Sequence, residues 1–326
     1  TITIAGGSNA SPTLRGFTIT GGSGTVSSQT TTETCGGSSS GDTGEEECTV
    51  TTYEYCGGGI YIDGDAPVLE DLVVEDNHLS AFEEYDESSQ DEVWVYSYGG
   101  GICIQEGSVI LDGVDIFDNY ADQGGGLWAQ SGATVSVMHA NIKQNSASDG
   151  GGIYIGDATD LSMYNSVVAC NAADIDGGGM FIADSSTNAD LVNVVFFGDT
   201  ATTGSTHAAA IYGDTATLSM MNSIVVTDID AYALYGAGTS FLSYNDIYNS
   251  ANSDHTVGGT WSQGAGARNE DPSFTDMECD GDTANDDVSL ASGSAAIDAG
   301  TSDPAYADVD GTTNDLGAYG GPYGDW

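Results

Sequence analysis

One short motif returns along most of the chain and limits what it can fold into. It reads GGGIYI from Gly57, GGGICI from Gly99, GGGLWA from Gly124, GGGIYI from Gly150 and GGGMFI from Gly177, with a degenerate AAAIYG from Ala208. From Gly99 to Gly177 the copies lie 25, 26 and 27 residues apart, the period of one coil in a solenoid. A second element recurs between them: PTLRGFTITGG, PVLEDLVVEDN, VILDGVDIFDN, VSVMHANIKQN, LSMYNSVVACN, LVNVVFFGD, LSMMNSIVVTD and FLSYNDIYN. Each copy is short, rich in Val, Ile, Tyr and Phe, and alternates with period two, which is strand character and not helix. The expected fold is therefore an all-β parallel β-helix of about 8–9 coils. Its backbones bond from coil to coil at about 4.8 Å around a dry apolar column.

Residues 1–268 carry this solenoid, with insertions at 21–56 and 78–98 that both precede a glycine corner. Residues 269–326 lose the repeat and read as a closing module packed on the last coils. Asn77, Asn119, Asn145 and Asn171 each fall three residues after an apolar strand position (Val74, Ile116, Ile142, Val168). They read as a structural ladder of stacked amides serving a tight corner with positive φ. No Lys and no helix follows the glycine triplets, so they are corners and not a phosphate loop.

Strand alternation puts the aliphatic residues of GGGIYI inward and the middle residue outward. The outward column then reads Tyr61, Cys103, Trp128, Tyr154, Phe181 and Tyr212. A contiguous aromatic stripe marks a contact, either under the chain's own insertions, against another subunit, or on sugar rings. Trp128 and Tyr154 are the candidates for sugar contact. The second insertion, with Glu83, Glu84, Asp86 and Glu87, reads as an ordered acidic flap beside this face.

Three Lys and Arg against 50 Asp and Glu give a formal charge of -47, which excludes nucleic acid and anionic membrane surfaces as partners. No apolar run reaches the ~20 residues of a membrane span. So much like charge calls for salt or bound cations, and Ca²⁺ is the expected cofactor. The candidate ligands are Asp308, Asp310 and Asp315 in DVDGTTND, and Asp280, Asp282 and Asp286 in ECDGDTANDD. Cys35, Cys48, Cys56, Cys103, Cys170 and Cys279 show no zinc-type spacing and are the disulfide candidates, in a pairing that spacing leaves open. His78, His139, His207 and His255 have no nucleophile at readable spacing and read as satisfied corner or surface residues.

Together the repeats resemble the right-handed β-helix proteins of the pectin-lyase-like superfamily, above all bacterial surface proteins with polymorphic-outer-membrane-protein-type repeats. The stretch EDPSFTD, VSLASGSAAIDAG and DVDGTTNDLGAYGGP resembles the closing module of the choice-of-anchor group. The resemblance implies a single-stranded, right-handed parallel β-helix located outside the cell or on the bacterial cell surface. It does not carry an activity across. A lyase of that superfamily uses a basic side chain beside Ca²⁺-held uronate, whereas Arg15, Lys143 and Arg268 are scattered over distant coils. No GHG or RIK motif of the polygalacturonase kind is present.

The expected role is non-enzymatic: a structural or adhesive surface-layer or filament subunit that associates with itself, end to end or laterally, or with a cell-surface partner. The alternative is a carbohydrate-binding or polysaccharide-degrading β-helix. The opening TITIAGG reads as an edge strand of an uncapped coil, following a removed leader or a longer precursor.

Overall fold

The computed structural model describes residues 1–5, 11–33, 49–80, 82–86, 91–202, 208–281 and 286–326, and among these nearly every regular element is a strand. Each glycine-triplet copy forms one. Ile60–Asp63, Ile102–Ile104, Leu127–Ala129, Ile153–Ile155, Met180–Ile182 and Ala208–Gly213 stack in parallel. Ile2–Ala5 on one side, and Tyr232–Gly236 and Val257–Gly259 on the other, extend the stack to nine strands, one per coil. The second element supplies two strands per coil, such as Ser108–Asp112 and Asp115–Phe117, and these build a 14-stranded sheet.

Register is kept from coil to coil, so like residues fall on like. Ile60, Ile102, Leu127, Ile153, Met180 and Ile211 form one fully buried column. Leu69, Leu111, Val137, Met163, Leu191 and Met220 form another across the core. Trp261 closes the column at the last coil, where its buried indole lies against Gly213 and Gly236 with no room for a Cβ at either.

The corners explain the triplets. The first glycine of each is left-handed, as at Gly124 (φ 61°) and Gly150 (φ 62°). The second faces the carbonyl of the next coil: a Cβ on Gly125 would meet the Gly151 oxygen at 2.6 Å. Only glycine satisfies both demands.

The four asparagines stack at the corner before the triplet. The backbone N–H of Asn77 donates to Asn119 Oδ1 (3.1 Å), that of Asn119 to Asn145 Oδ1 (3.1 Å), and that of Asn145 to Asn171 Oδ1 (2.9 Å). Each Nδ2 donates to the next side-chain oxygen and to a carbonyl of the preceding coil, such as Ile116 for Asn145 and Ile142 for Asn171. The positive φ expected of these asparagines belongs instead to the residue before each: Asp76, Asp118, Gln144 and Cys170. The side chain has to point inward to reach its neighbours, so the bend is made one residue earlier.

The column ends on an acid. Asp199 Oδ1 accepts from Asn171 N and Nδ2, both at 2.9 Å. Its Oδ2 takes the place of the amide nitrogen, since it lies against Gly179 as Asn171 Nδ2 lies against Gly152. That oxygen is buried without a hydrogen-bond partner. Burial drives the Asp199 carboxyl well above its ordinary range, the Asn171 bonds offset this only in part, and no charged neighbour contributes.

The carboxy-terminal segment, expected as a closing module on the last coils, packs elsewhere. It lies along the flank of the middle coils, where Met277, Val288, Ala296, Leu316 and Ala318 bury Val167, Ala169, Val195 and Ile224. It reaches back as far as His139 of the fourth coil, whose Nε2 is 3.2 Å from the Tyr323 carbonyl and whose ring lies 5.4 Å from that of Trp326.

The folded carboxyl of Asp199 holds its proton more tightly than the unfolded chain does. Its contribution is complete in acid and is lost as pH rises from the ordinary carboxyl range through the folded-state value. Asp199→Asn restores the amide donor, and melts across about pH 4 to 8 should show it more stable by about 1–3 kcal/mol at the upper end, with a flatter pH profile. A parallel pair of profiles counts against a protonated Asp199.

Candidate functional surfaces

The outward column divides in two. In the first coils it is covered by the insertions, which form one four-stranded sheet in the order Thr25–Glu33, Thr49–Cys56, Asp91–Tyr98, Phe82–Asp86. The two central strands are parallel with Tyr98 opposite Cys56, and each carries its hairpin partner antiparallel. Tyr98 stacks on Trp128 at 4.9 Å and 24°, and Cys56 is disulfide-bonded to Cys103. Tyr61, Cys103 and Trp128 are consequently buried although they point away from the core.

Below the wall the rings stack on one another. Tyr154 and Phe181 are 5.1 Å apart and 1° from parallel, Phe181 and Tyr212 are 5.2 Å apart, and Tyr212 continues to Tyr235 at 6.0 Å and 10°. A ring face pressed on its neighbour is not open to a sugar, so the stack offers edges and not a platform. Carboxylates flank it. Burial first, then Asp149, Asp157, Asp184 and Asp214, push the Tyr154 hydroxyl up to about 12. Tyr212 is raised by burial and then by Asp176 and Asp214. Desolvation pulls Asp184 upward, yet bonds from Ser186, Asp157 and Thr187 outweigh it and leave this carboxyl below its ordinary range.

Three of the candidate calcium ligands, Asp308, Asp310 and Asp315, brace the chain's own turns. Asp308 accepts from the backbone of Asp315 and Gly321, Asp310 from Thr312 N and Oγ1 (2.9 and 2.6 Å), and Asp315 from Asp298 N (2.6 Å). These are turn braces in the Asx manner. Burial, followed by mutual repulsion, raises Asp308 and Asp315. Asp286 pairs with Lys143 at 3.3 Å. Among the described residues no three carboxylate, His or Cys groups are placed to hold a metal, and Asp282 lies outside them.

Cys170 is bonded to Cys279, which ties the carboxy-terminal segment to the fifth coil. Cys35, Cys48, Glu87 and His207 lie outside the described residues, as do the side chains of Glu83, Glu84 and Asp86. The other histidines face carboxylates: His139 with Asp112 at 3.0 Å, His255 with Asp230 at 3.0 Å, and His78 with Asp76 at 3.5 Å. No helix among the described residues is long and apolar enough to cross a membrane.

Two features escaped the sequence reading. A second asparagine column, Asn165, Asn193 and Asn222, takes a left-handed backbone at the bend of the second element in three successive coils. Asn165 Nδ2 donates to the carbonyls of Ala318 and Gly320, Asn193 Nδ2 to those of Asp315 and Gly317, and Asn222 Oδ1 accepts from Thr301 N. The recurring YN, VN and MN were visible, but their partners lie more than 75 residues away and follow no period. The other feature is a groove of ≈ 480 Å³ between the sheet and this segment, lined by Tyr164, Asp190, Ser219, Met221, Phe241 and Tyr306.

A family model described as a right handed beta helix region matches residues 2–225. The chain belongs to the right-handed β-helix family. No curated protein and no solved structure matches it. This β-helix thus has the architecture that its repeats and its resemblance implied.

A tyrosine whose folded value is raised contributes stability that is complete below pH 10.0 and is lost as pH climbs from there through about 12. Thermal melts in that window should fall more steeply for the wild type than for Tyr154→Phe, which keeps the ring stack and removes the hydroxyl. Equal slopes would show that Tyr154 is not held in its neutral form.

Proposed function

We propose that this β-helix is an exported, non-catalytic scaffold whose rigid acidic surface works in an ion-rich exterior. The observation that carries this reading is the state of its cations. Arg15 pairs with Asp71 (2.7 Å) and Glu70 (3.6 Å), Lys143 with Asp286 (3.3 Å) and Arg268 with Glu270 (3.6 Å), on separate parts of the rod. Lyase chemistry on an acidic sugar needs a basic group beside the substrate, and a polyanion needs a positive surface. Export is supported by the two disulfides, which persist in oxidising compartments. Exposed Phe17 and Phe241 are the apolar contacts for self-association or for a cell-surface partner.

A second reading has its own support. The groove brings Tyr164, Phe241 and Tyr306 together with Asp190 and Ser219, apolar faces beside hydrogen-bonding groups, as a neutral glycan requires. Screening against neutral and acidic polysaccharides separates the two. No turnover is expected, and any hydrolysis or elimination overturns the non-catalytic reading. Binding of a neutral glycan that Phe241→Ala abolishes moves the assignment to the groove.

Calcium enters this reading as part of a diffuse cation layer, because Asp308, Asp310 and Asp315 already bind the backbone. Melting temperature should rise with NaCl and follow the same curve in CaCl₂ at matched ionic strength. A larger rise in calcium would instead establish a discrete site.

A further inference from the structure

Lys143 is the one lysine in the chain. In a protein with 50 carboxylates it would be expected at the surface, yet its residue is 8% exposed. Its Nζ lies 3.3 Å from Asp286 Oδ2, with side-chain exposures of 10% and 2%. Among the described residues this is the ammonium's one hydrogen bond, and Asp286 Oδ1 has no partner. The ammonium and the carboxylate are thus largely shielded, with one hydrogen bond between them among the described residues.

The surroundings are dry on one side and acidic on the other. Register sets Lys143 between Phe117 and the fully buried Ala169, and the apolar patch of Val167, Val195, Val288 and Leu316 continues from there. A cavity of ≈ 150 Å³ lined by Asp115, Phe117, Asn141 and Lys143 adjoins the amine. Asp115 Oδ1 accepts a hydrogen bond from Asn141 Nδ2 at 2.9 Å, which fixes this third carboxylate on the same outward face.

Burying two charges together costs much of what their attraction returns. An amide between them requires the ammonium proton to pass to the carboxylate first. In water these groups form a salt and do not condense. Held together and dry, they are positioned for attack at high effective concentration.

We propose that Lys143 and Asp286 join through an intramolecular isopeptide bond. The Nζ lone pair attacks Cγ of Asp286, a C–N bond forms, the C–OH bond breaks, and the hydroxyl leaves as water with a proton from the amine. No oxidant or second reactant enters. The cavity lined by Asp115, Phe117, Asn141 and Lys143 receives the water. The product is a neutral amide that removes both buried charges. It clamps the carboxy-terminal segment to the fourth coil, one coil from the Cys170–Cys279 disulfide, and it survives reduction.

Mass spectrometry of the denatured, reduced chain tests this without depending on any variant's folding. The intact mass is expected to be one water below the sequence mass. Trypsin should cut after Arg15 and Arg268 but not after Lys143, and should release a branched peptide joining residues 16–268 to 269–326. The branch distinguishes the bond from dehydration at an Asp-Gly step. Asp286→Ala should restore the full mass and cleavage at Lys143. A wild-type chain of full sequence mass that is cut after Lys143 overturns the proposal.

Discussion

Everything in this molecule depends on hydrogen bonds that run between coils and not within them. At the asparagine and glycine corners the backbone is answered chiefly by the same corner one coil away. The ladder from Asn77 to Asn171 does this with side-chain amides that accept from one neighbour and donate to the other. Once that register is set, every strand position is set as well, because a slip of one residue would turn Ile60, Ile102 and Ile153 out of the core together. The glycine triplets follow from the same demand, since the corner backbones must approach closely enough to bond.

A solenoid built this way is a linear array, and linear arrays separate coil by coil. The carboxy-terminal segment changes that. It touches His139 in the fourth coil, Asn165 and Cys170 in the fifth, Asn193 in the sixth and Asn222 in the seventh. Parting two of these coils means stripping the segment as well, so four nearest-neighbour units behave as one. The hairpin wall has a similar effect on the first coils, where its central strands pair in parallel and the Cys56–Cys103 bond joins successive triplets.

Periodic features were legible in the sequence, and features that join one period to a distant segment were not. The strands, the glycine corners, the inward aliphatics and the asparagine spacing all repeat, so one chain serves as its own alignment. The aromatic column was read correctly as outward but not as divided, because alternation gives direction and not cover: Trp128 and Phe181 are equivalent by register, and only Trp128 lies under Tyr98. Asp199 continues the Asn171 position in FFGDT against VACNA, a match hidden by the change from amide to acid. Asp286 was grouped with Asp280 by nearness in sequence, whereas its partner is Lys143, separated by 143 positions.

The charge of -47 sharpens the meaning of that last pair. Along a rod, like charges spread out and solvent ions screen them, so the acidic surface is tolerable where it faces water. Where the carboxy-terminal segment lies down on the coils it brings more carboxylates against an apolar floor, and there screening fails. The chain answers locally in two ways. Asp308, Asp310 and Asp315 are turned onto backbone N–H groups, and Asp286 is given the one lysine. The first solution leaves the charge in place and distributes it over donors. The second removes the charge from the surface, which is why the scarcest side chain in the sequence is spent inside, at the seam between segment and coil.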